Sequence, residues 1–390
     1  MYVNVAVLKE TAPHERRVSL VPSITAGLVK LGAKLHMQAG AGDASSFPDE
    51  AYKDVDFIKE RSKLLEDADV VLAVQPPALD VIDAMKEGAI LICFVYAEQE
   101  HGLVKRMLEK KITCFAMERI PRITRAQSMD ALSSQSALAG YYAVELGATH
   151  LARVLPKITT AAGAIGPAHV LVMGLGVAGL EAVATAHRLG AVVEGYDVRP
   201  ATEEQVLSLG ATFVETGVSA EGKGGYAREL TPEEKTKVAA ALTKHIQLSD
   251  LIITTAAIPG KASPKLISSA QVKGMKAGSV IVDLSAEGGG NCEDTVPGQT
   301  TQVGRVTIVA PLNVPSLLAQ DASELYAKNQ FELLKLMLKE NIITVDWTDE
   351  VIAETVLTHD GKLSKAAEKP AKPTATPAAA SKPPATPKAA

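Results

Sequence analysis

Short apolar segments alternate with longer amphipathic segments along most of this chain. The apolar segments are typical of buried parallel strands, and the longer ones have the spacing of helices. The early strands are predicted at residues 2–8, 34–38, 70–74, 89–95 and 112–117. A helix rich in small residues is predicted at residues 136–153, and strands and helices alternate again after it. The alternation predicts an α/β fold with parallel sheets.

The length of the chain indicates more than one domain, because a single core rarely outgrows about 250–300 residues and the chain has 390. We predict two Rossmann-like, doubly wound domains with a cleft between them. The predicted units are a first, discontinuous domain at residues 1–135 and 314–358, a second domain at 136–313, and a tail at 359–390.

The end of the chain is predicted from pattern and composition. A helix at residues 316–339 should return the chain to the first domain, and residues 342–358 alternate like a pair of strands. Beyond residue 361 the chain is almost wholly Ala, Pro, Lys, Thr and Ser. Such a segment cannot bury enough apolar surface to offset its ordering entropy, so a disordered tail is predicted.

The strongest chemical signal is a Gly-x-Gly-x-x-Gly run directly after an apolar strand. Gly174 allows a tight turn, Gly176 lets the backbone approach a pyrophosphate, and Gly179 lets the next helix pack closely. Val177 and Ala178 lie at the start of that helix, where unpaired N–H groups attract phosphate. The pattern predicts a dinucleotide site; the alternative is a turn that only packs a helix on a sheet.

An acid at the tip of the next strand indicates which dinucleotide binds. Asp197 follows the fingerprint at about the spacing of a ribose-binding acid. Its carboxylate would accept from the adenosine ribose 2′-OH and repel a 2′-phosphate, so NAD(H) is predicted rather than NADP(H). Arg199 is open to several interpretations: it could accommodate a 2′-phosphate, lie against the adenine, or cap the next helix.

Loops after two later strands are also candidates for the cofactor site. Thr255, Ala256 and Ala257 follow one strand, and Glu287 follows the next. Ligands of open α/β sheets lie beyond the carboxyl ends of the strands, so both loops should close over the cofactor.

A longer loop at residues 215–234 contains several glycines, among them Gly217 and Gly225, and one aromatic ring, Tyr226. A loop of this length in a compact domain is either a lid or disordered. Both interpretations stay open from the residues alone.

The segment 121–136 is dense in hydrogen-bonding side chains, which include Arg122, Gln127, Asp130 and Ser133. One interpretation is a cap on the helix that follows, because Ser and Asp are good N-caps. A cap needs one or two such residues, and the surplus favours a functional loop.

Composition excludes several classes of protein. A formal charge of −5 and an aromatic content of 4% argue against nucleic-acid binding. The three cysteines are isolated and the eight histidines are not clustered, so we expect buried thiols in a reducing compartment and no metal site. No apolar run approaches the ~20 residues of a membrane span, and no signal peptide precedes the first strand. A soluble, cytoplasmic protein is expected.

Residues 121–136 resemble the signature loop of the NAD(H)-binding component of proton-translocating nicotinamide nucleotide transhydrogenase. The resemblance covers about residues 3–345. The matching stretches are 9–18, the fingerprint 174–179, 196–199, 224–227, 254–261 and 288–292.

The resemblance implies a component, usually a homodimer, that binds NAD(H) between its two domains. It implies docking on an NADP(H)-binding beta subunit and on a membrane-spanning subunit, which would make this chain peripheral at the inner face of the cell membrane. It further implies direct hydride transfer from NADH to NADP⁺, coupled to proton translocation. Because the chain ends in the tail, the split arrangement, with the spans on separate subunits, is expected.

The family's functional residues correspond to positions of this chain. Its cleft residues correspond to Arg122, Gln127, Asp130 and Ser133, and the tyrosine of its mobile loop to Tyr226. The pyrophosphate and ribose contacts correspond to the fingerprint glycines and to Asp197, Val198 and Arg199.

Direct transfer between two nicotinamides moves no proton at the reacting atoms, so it needs orientation rather than a general acid or base. We expect Arg122 and Gln127 to hold the carboxamide or ribose. Asp130 with Ser133 would fix Arg122 and the dihydronicotinamide.

Two other functions are considered. Alanine dehydrogenase shares the Arg-Val pair at Arg17 and the dinucleotide domain, but that family uses a lysine and a histidine that this chain lacks. Residues 70–77 contain no lysine, and Tyr96 stands at the histidine position. A non-catalytic NAD(H)-sensing module is the third hypothesis.

Overall fold

The computed structural model describes residues 2–97, 100–220, 228, 230–257 and 262–365. Most of the chain forms two large sheets flanked by helices, together with two small hairpins. The strands are β1 (Val3–Val7), β2 (Ala33–Gln38), β3 (Val55–Ile58), β4 (Val70–Leu72), β5 (Ile90–Cys93), β6 (Thr113–Ala116), β7 (Ile158–Thr160), β8 (Gly163–Ile165), β9 (His169–Met173), β10 (Val192–Tyr196), β11 (Thr212–Phe213), β12 (Leu251–Thr254), β13 (Val280–Asp283), β14 (Thr300–Val303), β15 (Val306–Val309), β16 (Leu338–Lys339), β17 (Ile342–Ile343), β18 (Val356–His359) and β19 (Lys362–Leu363).

The helices vary from one turn to more than five. They are α1 (Pro22–Lys30), α2 (Arg61–Glu66), α3 (Leu79–Ala84), α4 (His101–Glu109), α5 (Ala131–His150), α6 (Val177–Arg188), α7 (Glu203–Ser208), α8 (Pro232–Leu248), α9 (Ser269–Lys273), α10 (Val314–Leu317), α11 (Ala319–Met337) and α12 (Glu350–Thr355). Short 3₁₀ helices lie at Asp43–Ser45, Asp49–Ala51, Met117–Arg119, Thr124–Met129, Pro200–Thr202 and Ala286–Gly288.

The first sheet has the strand order β19-β18-β6-β5-β4-β1-β2-β3. Its strands β1 to β6 are parallel, and β18 adds antiparallel to β6 at one edge. Apolar clusters cover both faces, which is why these strands read as continuous apolar runs rather than as alternating ones.

The second sheet has the order β11-β10-β9-β12-β13-β15-β14, and only β14 is antiparallel to its neighbour. In both sheets the parallel strands follow the doubly wound order 3-2-1-4-5-6, so the direction of winding reverses between β1 and β4 and between β9 and β12. Such switch points open a crevice at the carboxyl ends of the strands. The predicted α/β class with two Rossmann-like domains is confirmed.

Two long helices join the domains. The helix α5 leaves the first sheet and packs against α6 and against β12 and β13, and α11 packs against α5 and α1. The side chain of Tyr326 on α11 is fully buried and donates to the carbonyl oxygen of Ala73 at 3.0 Å. Among the described residues, no helix is long and apolar enough to cross a membrane.

The end of the chain differs from the prediction. Residues 342–358 were expected to form a strand pair, but Asp349 caps a helix there: its Oδ1 accepts from the backbone N–H groups of Val351 and Ile352 at 2.8 and 3.3 Å. The apolar pair Val351 and Ile352 resembled part of a strand because a single helical turn is too short to show its own period.

The predicted start of the tail is also wrong. His359 ends β18, and the turn through Asp360 and Gly361, both with positive φ, leads into β19. An Asp-Gly pair between short apolar runs is a local hairpin signal. The chain is therefore folded to at least residue 363, and the rest of the predicted tail, residues 366–390, lies outside the described residues.

Candidate functional site

The fingerprint turn lies at the switch point of the second sheet. Gly174 has a φ of +97°, which favours glycine. Its N–H donates to the carbonyl oxygen of Tyr196 at 2.8 Å, and its carbonyl oxygen accepts from Thr255 Oγ1 at 2.8 Å. The turn is therefore bonded to the strands on both sides of the crevice, and Thr255 belongs to this site.

The other two glycines serve different purposes. A Cβ on Gly179 would overlap the carbonyl oxygen of Gly174, so this glycine lets α6 start directly against the turn. A Cβ on Gly176 would meet no atom within 4 Å, and Val177 beside it is 43% exposed. The space over Gly176, at the N-terminus of α6, is where a pyrophosphate would find unpaired N–H groups. Ala178 lies in the first turn of the same helix.

Asp197 is joined to both the fingerprint and Arg199. One carboxylate oxygen accepts from the N–H of Leu175 at 2.7 Å and from Arg199 Nη2 at 2.7 Å. The other accepts from the backbone N–H and the Nε of Arg199, at 2.9 and 2.8 Å. The Asp197 side chain is only 6% exposed. The negative charge of Asp197 is therefore partly balanced by the guanidinium of Arg199, and its predicted repulsion of a 2′-phosphate stays a prediction.

The loop after β12 is held by the side-chain amide of Asn291, for which no role was predicted from the sequence. Asn291 is fully buried; its Oδ1 accepts from the N–H of Ala256 at 3.0 Å, and its Nδ2 donates to the carbonyl oxygen of Ala256 at 2.8 Å. Asp283, at the end of β13, accepts from the N–H of Asn291 at 2.7 Å. Ala257, next along the loop, is exposed. The position of Asn291 directly after three glycines is the sequence feature that could have identified it.

Glu287 lies where the two domains meet. Its Oε1 accepts from the N–H of Asn313 at 2.7 Å. The side chain of Asn313 in turn donates to Glu15 Oε2 at 2.9 Å. Glu287 is thus connected through Asn313 to the first domain, and its predicted contact with a cofactor stays a prediction.

On the first-domain side of this contact between the domains, Glu15 forms a buried ion pair. Arg17 donates from Nε and Nη2 to the two carboxylate oxygens of Glu15 at 2.8 and 2.6 Å, and from Nη1 to Gln135 Oε1 at 2.8 Å. Burial alone would raise the pKa of Glu15, but the hydrogen bonds and charge of Arg17 lower it to about 2. In the sequence, Arg17 stands out only because it lies in a stretch, with Val18 next to it, that resembles related families.

Glu10 occupies the switch point of the first sheet. Its carboxylate accepts from the N–H groups of Val74 and Gln75, at 2.6 and 3.3 Å, just beyond β4. Burial nevertheless raises the pKa of this carboxyl to about 7. The chain pattern gave no signal for this residue, because a single Glu in a polar turn is ordinarily solvated.

The segment rich in hydrogen-bonding side chains forms the 3₁₀ helix Thr124–Met129. Its inner side, Ala126 and Met129, is buried, whereas Arg122 and Gln127 are exposed. Asp130 is the N-cap of α5: its carboxylate accepts from the N–H of Ser133 at 2.9 Å and from the Ser133 hydroxyl at 2.6 Å.

This geometry combines the two interpretations of the segment. The cap alternative accounts for Asp130 and Ser133, while Arg122 and Gln127 remain exposed above the capped helix. An exposed arginine and glutamine beside a fixed helix start are able to hold a polar ligand.

Close packing of two helices fixes the polar segment and the fingerprint relative to each other. A Cβ on Gly140 of α5 would overlap the carbonyl oxygen of Ala178 in α6. Because α5 begins directly after the polar segment and α6 directly after Gly176, this contact sets the position of one loop against the other. Gly225 and Tyr226 lie outside the described residues. Val198 follows Asp197 and packs at the edge of the second apolar cluster of its sheet.

Comparison with known proteins gives matches along nearly the whole chain. The family model for alanine dehydrogenase/PNT, N-terminal domain, matches residues 6–139, and that for alanine dehydrogenase/PNT, C-terminal domain, matches residues 143–366. The second match includes the residues of β18, which the structure places in the first sheet.

Individual relatives divide into two groups. The chain is 45% identical to the NAD(P) transhydrogenase alpha subunit, first polypeptide, of Rhodospirillum rubrum, over 93% of this chain and 97% of that protein. It is 29% identical to the alanine dehydrogenase of Halomonas elongata, over 93% of this chain and 95% of that protein. The solved structure of the transhydrogenase from Sinorhizobium meliloti has a TM-score of 0.81 and 41% identity, over 92% of this chain and 98% of that one.

Proposed function

Because this chain belongs to the alanine dehydrogenase/PNT family, we propose that it is the NAD(H)-binding component of an NAD(P) transhydrogenase. In this proposal it binds NAD(H) across the second sheet and presents the nicotinamide for direct hydride transfer to NADP⁺ on a beta subunit. The observation that carries the proposal is the packing of α5 on α6, because the segment with Arg122 and Gln127 directly precedes α5 and the fingerprint opens α6. A single extended dinucleotide would then contact both.

Each end of the dinucleotide has its own set of residues in this proposal. Gly176, Val177 and the N-terminus of α6 receive the pyrophosphate, and Asp197 with Arg199 receives the adenosine ribose. Gln127 and Arg122 hold the nicotinamide end, while Asp130 and Ser133 keep the loop and helix in register. Hydride transfer between two nicotinamides requires close approach and alignment, which is a positioning task worth several orders of magnitude in rate.

The partners follow from the relatives' names and from the family resemblance. We expect a homodimer that docks on an NADP(H)-binding beta subunit, with proton translocation through a separate membrane-spanning subunit. The exposed side of Thr124–Met129 supports this arrangement, because a nicotinamide held there would face outward toward a second protein. The chain would then be peripheral at the inner face of the cell membrane.

Oxidative deamination of alanine is the alternative, and two residues argue against it. The stretch that corresponds to the one with that family's lysine, residues 70–77, contains none, and Gln75 within it donates from Nε2 to Glu15 at 2.8 Å. Tyr96 stands at the histidine position, and burial raises the pKa of its phenol above the ordinary value. An amide cannot exchange a proton with substrate, and a phenol with a raised pKa stays protonated near neutral pH and is not available there as a base.

The proposal is tested by mixing the chain with an NADP⁺-loaded beta subunit and NADH, and following the transfer of a deuterium label from C4 of the nicotinamide. Gln127→Asn shortens the side chain by one methylene and should lower the transfer rate at saturating NADH about tenfold or more. NADH should bind well and NADPH poorly. Turnover of alanine would support the alternative, and NADH binding without transfer would support a sensing module.

A further inference from the structure

The loop that carries Gln127 is hydrogen-bonded to α11, a helix distant in sequence, through the residue that follows Gln127. Asn329 on α11 is 6% exposed. Its Nδ2 donates to the carbonyl oxygen of Ser128 at 2.8 Å, and its Oδ1 accepts from the Ser134 hydroxyl at 2.7 Å. One amide therefore joins the residue after Gln127 to the first turn of α5.

Other contacts fix the inner side and one end of the same loop. Ala126 and Met129 are buried in the core of the first domain. Arg125 donates to both carboxylate oxygens of Asp349, at 2.9 and 2.6 Å. Both contacts act through side chains and not on the backbone carbonyl groups between Ala126 and Met129.

The outward-facing backbone is that of the short 3₁₀ helix Thr124–Met129, and the bond at its end is long. The carbonyl oxygen of Gln127 accepts from the N–H of Asp130 at 3.3 Å, which is long for such a bond. The direction of the Gln127 side chain depends on the backbone torsions on either side of it. The bond from Asn329 to Ser128 fixes the peptide next to this long bond, at the end of the 3₁₀ helix.

We propose that Asn329 is a positioning residue that sets the orientation of Gln127 for hydride transfer. The inference rests on the proposed function and names a further residue of the same site. Asn329 does not reach the reacting atoms; it acts through the Ser128 carbonyl. A displacement of about 1 Å at a positioning group can cost two orders of magnitude in rate, so loss of this bond should be visible in the transfer step.

The test uses Asn329→Asp, which has nearly the same shape. One carboxylate oxygen still accepts from Ser134, while the other faces the Ser128 carbonyl oxygen and repels it. The matched control is Gln320→Glu, the same amide-to-carboxylate change at an exposed position of the same helix. The measurements are the NADH dissociation constant, the thermal unfolding midpoint, and the single-turnover rate with the NADP⁺-loaded beta subunit at saturating NADH.

For Asn329→Asp we expect a dissociation constant within about twofold of wild type and a transfer rate lowered about tenfold, which is about 1.4 kcal/mol in the activation barrier. Gln320→Glu should match wild type in both. A wild-type rate in Asn329→Asp would refute the proposal. So would a variant whose loss lies in NADH affinity alone and disappears at saturation, because that is a binding role.

Ser134→Ala is the second variant and decides the matter if Asn329→Asp does not fold. It keeps the bond to Ser128 but frees Asn329 on its other side, so the rate should fall about threefold with NADH affinity unchanged. A wild-type rate in a folded Ser134→Ala would then overturn the proposal. If wild-type protein itself gives no transfer, the proposed function fails, which is a different result from a loss confined to the variants.

Discussion

Glu10 gives a prediction about stability that follows from a single buried carboxyl. Burial raises the pKa of this group from 4.5 to about 7 in the folded protein. The unfolded chain therefore releases this proton at lower pH than the folded protein does. The stabilising contribution of protonated Glu10 is fully present below pH 4.5 and is lost as the pH rises through about 7.

The size of the loss follows from the two pKa values. At about 1.36 kcal/mol for each pH unit, the interval from 4.5 to about 7 corresponds to about 3 kcal/mol. Glu10→Gln mimics the protonated acid: its Oε1 still accepts from the N–H of Val74, and its amide group cannot ionise. The variant should therefore gain stability relative to wild type as the pH rises, by about 3 kcal/mol in total.

The assay is denaturant unfolding at a series of pH values from 4.5 to 8.5, followed by the fluorescence of Trp347. This is the single tryptophan of the chain, and its ring stacks on Phe115 of the first sheet with centroids 6.4 Å apart. Its signal thus reports the domain that contains Glu10. Any fixed cost of the amide in this position is independent of pH. The change with pH in the difference between the unfolding free energies of wild type and Glu10→Gln therefore reports only the ionisation of Glu10.

A control of opposite sign is available in the same domain. Hydrogen bonds and charge from Arg17, acting against burial, lower the pKa of Glu15 to about 2. Its stabilising contribution is present above pH 4.5 and lost only as the pH falls toward 2. Glu15→Gln should therefore destabilise across pH 5.5 to 8.5, with only a smaller pH dependence, which arises because loss of its charge also lowers the pKa of Glu10. A difference between wild type and Glu10→Gln that does not change with pH over this range would refute the reasoning about Glu10.

The remaining predictions concern the nucleotide site. Gly179→Ala should lower the free energy of unfolding by about 1–3 kcal/mol in thermal or denaturant melts, because its Cβ overlaps the Gly174 carbonyl oxygen. Gly176→Ala should keep wild-type stability, since its Cβ meets no atom within 4 Å, yet weaken NADH about tenfold in a titration by filling the pyrophosphate space; unchanged affinity would place the pyrophosphate elsewhere. Asp197→Asn removes a negative charge beside Arg199, so the preference for NADH over NADPH should fall about tenfold or more. Equal preference ratios in wild type and variant would show that Asp197 does not select the nucleotide.

Local patterns were enough to predict the α/β class and the fingerprint. Gly174, Gly176 and Gly179 lie within one strand–turn–helix unit, so their spacing alone specifies the turn and the helix start. The same holds for the polar segment before α5, where Asp130 and Ser133 are only three positions apart. Contacts between residues that are close in sequence require a particular spacing, which can be recognised in the sequence.

The errors in the prediction also have a local cause. The single-turn helix α12 was mistaken for part of a strand, and the Asp360-Gly361 hairpin was included in the tail. Short elements at the edge of a sheet depend on the strand they pair with, here β6 with β18. Their own residues carry too little periodicity to identify them.

What the sequence determined by itself was the ligand class, through a fingerprint whose chemistry lies within one short stretch of chain. Only the tertiary structure decided how the segment that carries Gln127 is held. Asn329 contacts Ser128 across 201 positions of sequence, and Arg17 contacts Gln135 across 118. No spacing rule connects such residues, because they meet only when the elements of the first domain have packed together around its whole apolar core.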